Sequence, residues 1–149
     1  MFNHILLPTD GSKLSLRSAR AGVRLASALG ARVTAFFAAP PATPILYRAM
    51  LPVGYATPGE HEKITRQAAR RHLGAIEKAA RAAGVRCESL SVTSDFPADA
   101  ILAAAKKRRC DLIFMASHGR RGIRRASLLG SETQKVLAGS ALPVLVYRA

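Results

Sequence analysis

Tryptophan is absent from this 149-residue chain, and aromatic residues make up only 5% of it. The interleaved aromatic platforms on which single-stranded nucleic acids stack are therefore missing. Cysteine is nearly as scarce. Cys87 and Cys110 form neither a disulfide framework nor a metal-ligand spacing, and beside strand-like runs such residues behave as small buried hydrophobes. His4, His61 and His72 are scattered, which argues against a zinc site. No apolar run approaches the roughly 20 residues that cross a bilayer. The N-terminus is apolar only as far as Pro8, with no basic region or small-residue cleavage site, so a cytoplasmic location without membrane attachment is expected. Acidic residues are the last shortage: nine Asp and Glu stand against 23 Lys and Arg, a formal net charge of +14. That charge attracts polyanions, but the basic residues are spread along the chain, which argues against nucleic acid as the ligand.

What is present reads as one domain over residues 1–149, long enough for a single substantial core. Ile5-Leu6-Leu7 is a continuous apolar run, the mark of a strand covered on both faces. Ser12 caps a helix to about Leu29, whose apolar positions Leu16, Ala19, Val23, Ala26 and Leu29 recur at helical steps before Gly30 ends it. A second strand covers Arg32 to Ala38. The segment 39–59 holds most of the eight prolines. It is expected to be a lid-like connection with a short helical turn near Ile45 to Met50.

From Glu60 to Ala83 a helix is expected, with Ile64, Ala68, Leu73, Ile76 and Ala80 on its apolar face and Gly84 beyond its end. Strand Arg86–Thr93, helix Ala98–Arg109, strand Asp111–Ala116, helix Gly130–Ala138 and strand Pro143–Arg148 follow. Alternating strands and helices of this kind form one open parallel sheet with helices on both faces, a Rossmann-like α/β fold.

Chemistry concentrates where strands end. Asp111-Leu112-Ile113-Phe114-Met115 opens into Ala116-Ser117-His118-Gly119, and Gly130-Ser131-Glu132-Thr133 starts the next helix. Glycine lets a backbone approach an anion, and a helix start offers it unsatisfied N–H groups, so nucleotide binding leads. Asp10, after the first strand, has two readings: an acceptor for a ribose hydroxyl or a ligand for Mg2+ near phosphates, or a cap for its own Asp-Gly turn. Arg120, Arg121, Arg124 and Arg125 are either phosphate contacts or a solvated basic loop. His118 has no partner group at a fixed spacing that would make it a catalyst, and no Gly-Lys-Ser/Thr of a Walker loop occurs. Rapid phosphoryl transfer is not expected.

These motifs resemble the universal stress protein family. Ile5-Leu6-Leu7-Pro8-Thr9-Asp10-Gly11-Ser12 looks like its first strand and turn. Asp111 to Gly119, then Leu128-Leu129-Gly130-Ser131, then Leu142-Pro143-Val144-Leu145-Val146, look like its nucleotide loop and last strand. The resemblance implies strand order 3-2-1-4-5, as in adenine nucleotide alpha hydrolase-like folds, and a homodimer. It implies ATP, with Mg2+, across the ends of strands one and four. Asp10 would meet ribose or the metal-phosphate region, the Ala38 backbone the adenine edge, and Gly119, Gly130, Ser131 and the Glu132 N–H the phosphates. Pro8, Thr9, Met115 and Ala116 would line the pocket.

Two positions depart from the family pattern Gly-x2-Gly-x9-Gly-Ser/Thr. Ala116 replaces its first glycine, and ten residues separate Gly119 from Gly130, the extra one falling within Gly122 to Ser127. The implied function is a nucleotide-dependent regulatory or stress-response module, with at most slow incidental ATP hydrolysis and an unidentified protein partner. The alternative is a dimer that works through protein partners without nucleotide, and nucleic-acid binding is a third, lesser reading. The apolar last strand, residues 143–148, is expected to pair across a two-fold axis.

Overall fold

A computed structural model describes residues 1–41, 58–119 and 129–148. The helical turn expected near Ile45 to Met50, most of the 39–59 connection, Gly122 to Ser127 and the arginines 120, 121, 124 and 125 lie outside the described residues. The order is β1 (His4–Thr9), α1 (Lys13–Leu29), β2 (Arg32–Ala39), α2 (Pro58–Ala82), β3 (Cys87–Thr93), α3 (Pro97–Lys107), β4 (Leu112–Ala116), α4 (Ser131–Gly139) and β5 (Val144–Tyr147). All neighbouring strands run parallel, in the order β3-β2-β1-β4-β5. This is the open α/β architecture expected from the alternation and from the resemblance.

The central strands explain why the sheet is covered twice. All six residues of β1 and all five of β4 are buried, as continuous apolar runs require when both faces meet helices. Side chains alternate between the faces. Ile5, Leu7, Val33, Ala35 and Phe114 pack with residues of α1 and α2. Leu6, Phe36, Ile113 and Met115 pack with α3 and with Val136 of α4. Gly22 brings α1 close to the sheet: a Cβ there would collide with Leu7 and stand 3.3 Å from the Phe114 ring.

The caps follow local chemistry. The Ser12 hydroxyl accepts the Ser15 amide at 3.1 Å, and Gly30 closes α1 with φ of 67°, a conformation that suits glycine. α3 ends two residues earlier than the sequence pattern suggests. Its exit is turned by Arg109, which sits in the left-handed region with φ of 55°, while the Cys110 amide reaches back to the Ala105 carbonyl at 2.9 Å.

The inward face of α2 also differs from expectation. Burial begins at Ala69 and continues through Leu73, Ile76 and Ala80, whereas Ile64 is 56% exposed. A 25-residue helix spans about 37 Å and the seven-residue strand β3 about 23 Å. The first turns of α2 therefore have no sheet to cover. Among the described residues, no helix is long and apolar enough to cross a membrane.

Candidate functional site

Outside the carboxyl ends of β1 and β4, a compact hydroxyl network builds the first wall of the site. The Ser15 hydroxyl donates to the Ser12 carbonyl at 3.0 Å, so in its 2.9 Å contact with Thr9 it accepts the threonine hydroxyl proton. Thr9 Oγ1 in turn accepts the Gly11 amide at 3.1 Å. These contacts tie the turn after β1 to the start of α1, with Thr9 buried within it.

Asp10 closes its own turn, the second of its two sequence readings. Its Oδ1 accepts the Ser12 amide at 2.9 Å, an Asx turn. Its Oδ2 faces Gly119, where an added Cβ would collide with that oxygen. Only a glycine lets the chain beyond β4 pass this close to the Asp10 carboxylate.

The second wall joins β4 to α4. The Gly130 amide donates to the Ser117 carbonyl at 2.8 Å, and the Ser117 amide donates to the Tyr147 carbonyl at 2.9 Å. The buried Thr133 hydroxyl donates to the Ala116 carbonyl at 3.0 Å. Gly130 is the N-cap of α4 and, being glycine, gives this end no side-chain cap of its own; a helix start of this kind can hold an anion on its first amides. The Ser117 hydroxyl and His118 Nδ1 lie 3.1 Å apart. The Glu132 carboxylate accepts the Ala98 amide at 3.0 Å, capping α3, while Lys135 pairs with it at 3.0 Å.

Asp10 and Gly119 therefore meet, and Gly130 meets His118 and Ser117 in the same cluster. Met115 and Ala38 belong to the sheet face covered by α3 and α4, and alternation from Leu6 puts Pro8 on that face too. Ala116 ends β4 in extended backbone, a conformation that alanine adopts as readily as glycine does. Ser131 is exposed at the first turn of α4.

Two contributors went unnoticed in the sequence. His72 of α2 reaches Gly11, whose added Cβ would collide with the imidazole, and its ring lies 5.4 Å from that of Phe37. The Ser15 hydroxyl anchors the whole Asp10 turn. The Ser12-x-x-Ser15 spacing was the available signal for Ser15; no local pattern marks His72.

A doubly wound parallel sheet carrying a carboxylate, a close glycine and an open helix N-terminus at its strand ends is an α/β protein with a ligand-facing edge. The profile of the Universal stress protein family matches residues 1–148, and the chain belongs to that family. It is 34% identical over 152 residues to a universal stress protein of Thermus aquaticus, covering 99% of this chain and 100% of that one. The hypothetical protein MJ0577 shares the fold with a TM-score of 0.78 at 24% identity, over 100% of this chain and 97% of that one. A universal stress protein solved in complex with cAMP superposes with a TM-score of 0.68 at 24% identity, over 99% and 97% of the two chains.

Proposed function

We propose that this chain is an ATP-binding universal stress protein, a regulatory module whose bound nucleotide sets what it presents to a partner. The observation that carries the reading is the meeting of the Asp10 carboxylate, Gly119 and the uncapped start of α4 outside the ends of β1 and β4. The residues fit a nucleoside triphosphate with Mg2+: a carboxylate, a glycine backbone that admits a close oxygen, and a helix start nearby. Asp10 holds ribose or the metal, the Ala38 backbone reads adenine, and Gly119, Gly130, Ser131 and the Glu132 amide hold phosphates. Pro8, Thr9, Met115 and Ala116 line the pocket. Binding of a cyclic adenine nucleotide by a protein of the same fold supports adenine as the base.

The site is a holder of phosphates rather than a catalyst of their transfer, and hydrolysis is slow and incidental. The module acts in the cytoplasm, as a homodimer joined through β5, on a protein partner.

The test is denaturing extraction of the purified protein with chromatography, then calorimetric titration of the stripped protein with ATP and Mg2+. Co-purified adenine nucleotide, or micromolar affinity, supports the reading. Absence of both, checked by a second binding method, overturns it. The longer spacing between Gly119 and Gly130 favours a second reading, a universal stress protein that works through its dimer and partners without nucleotide. That reading predicts no adenine nucleotide in the extract and no binding.

A further inference from the structure

Four of the 23 basic residues, dispersed in sequence, line one face of α1. Lys13, Arg17, Arg20 and Arg24 of α1 are all exposed. At about 100° per residue they fall within an arc of roughly 60°. Ser15, Ser18, Ala19, Gly22, Val23 and Ala26 bury the opposite side against the sheet. Along the axis the four cations cover about 16 Å, with steps of about 4.5 to 6 Å.

No acidic residue lies in α1. The ion pairs Arg66–Glu62, Arg108–Glu88 and Lys135–Glu132 involve none of the four stripe cations. At its far end, α1 gives Ala26, Ser27 and Gly30 to a cleft of about 450 Å³ that also bears Arg32 and Arg86. Helical like-charge neighbours repel, so a row of this kind is held against an electrostatic cost.

We propose that α1 is a docking surface for the sugar-phosphate backbone of a nucleic-acid duplex. A row of exposed cations is complementary in charge to the phosphates along a duplex backbone. The occupant is a duplex rather than a single strand because α1 contains no aromatic side chain on which a base could stack. A lipid surface is disfavoured because Ala19, Val23 and Ala26 are buried in the core with Leu16 and Leu25 packed against it, whereas interfacial helices present an apolar face to the acyl chains. Binding by backbone contacts alone is independent of sequence. The proposal is separate from the nucleotide site.

The experiment is anisotropy titration of a labelled DNA duplex of about 20 base pairs, across about 50 to 200 mM salt. Four phosphate contacts give a slope of log K against log salt of about −3.6, and six, with Arg32 and Arg86, about −5.4. The variant R17Q/R20Q/R24Q removes three exposed cations and flattens the slope by about 2.7, with unchanged melting temperature and ATP affinity. The control R70Q/R71Q/R81Q removes the same charge from α2 and leaves most of the slope in place. An equal loss in both variants means diffuse attraction to net charge and overturns the proposal, as does a wild-type slope shallower than about −1. Stripe-dependent capture by phosphatidylserine vesicles without duplex binding also overturns it, in favour of a membrane.

Discussion

The Gly130 amide donates to the Ser117 carbonyl at 2.8 Å, joining the start of α4 to the end of β4. A Cβ on Gly130 would stand 2.9 Å from His118 Cα and 3.1 Å from His118 Cβ. Backbone cannot yield as a side-chain tip does, so Gly130→Val strains the fold before any phosphate arrives. The variant is expected to lose about 1–3 kcal/mol of stability and at least tenfold in ATP affinity, about 1.4 kcal/mol. Urea denaturation and calorimetry measure the two losses separately. Full stability would show that this contact is relaxed, and unchanged affinity in a folded variant would remove the loop from the phosphate site.

Local features of the fold were readable in the sequence and distant ones were not. Gly30, Ser12 and the apolar runs of β1 and β4 act through their own neighbours, so their roles appear in residue type and spacing. Strand order depends on contacts such as Ile5 with Leu112, far apart in the chain, and it came from resemblance alone. The Asp10 turn was legible as one of two alternatives, and its Oδ1 closes that turn while Oδ2 faces Gly119. The Glu132 carboxylate, the third acceptor in this region, caps α3 across 34 residues, which no local pattern encodes. The α1 stripe was present as a 4-3-4 spacing. Counting charge along the chain concealed what helical geometry collects on one face.

Arg109→Gly is expected to stabilise the protein. Arg109 holds φ of 55° at the exit of α3, where a side chain costs about 1–2 kcal/mol and glycine relieves the clash. Glycine also loses more backbone entropy on folding, so the net gain should be about 0.5–1 kcal/mol. Urea denaturation of the wild type and variant decides this. A decrease in stability would mean that the arginine side chain contributes more than the backbone strain costs.

Both thiols should be sluggish toward alkylation and disulfide exchange. Burial pushes the Cys110 thiol up to about 11, and burial likewise raises that of Cys87. At pH 8 only about one Cys110 in a thousand is then thiolate. Labelling of native protein at pH 8 should therefore be at least a hundredfold slower at Cys110 than in urea, as read by peptide mass spectrometry. Rapid labelling of Cys110 in the folded state would reopen a redox role.

Stability should fall on the acid side through His4. Burial, with the nearby Arg32 charge, holds this imidazole below its ordinary 6.5. Its Nε2 pairs with Thr34 Oγ1 at 2.8 Å, whereas Nδ1 has no partner among the described residues. The folded protein therefore binds this proton less readily than the unfolded chain does. The contribution is fully present above the unfolded value and is lost as pH drops below about 6.5 toward the folded value. His4→Gln should be less steeply acid-sensitive between pH 7 and pH 5 in denaturant titrations. Parallel curves for the two proteins would place the acid sensitivity elsewhere.

The two sheet edges differ in a way that makes β5 the expected one for the proposed dimer. On β3 the exposed positions are Glu88, Ser91 and Thr93, and a charge on an edge discourages pairing. On β5 the exposed position is Leu145, 38% accessible, among Val144, Val146 and Tyr147, which are half-buried. Pairing β5 with its symmetry copy would cover that row and satisfy the free edge groups of both strands, as a two-fold contact allows. Sedimentation at about 10 µM should find a dimer, and Leu145→Lys should shift it to monomer because like charges would then face each other across the axis. Leu145→Val keeps the apolar contact and should stay dimeric. A monomeric wild type, or a lysine variant that still dimerises, would exclude β5 as the interface.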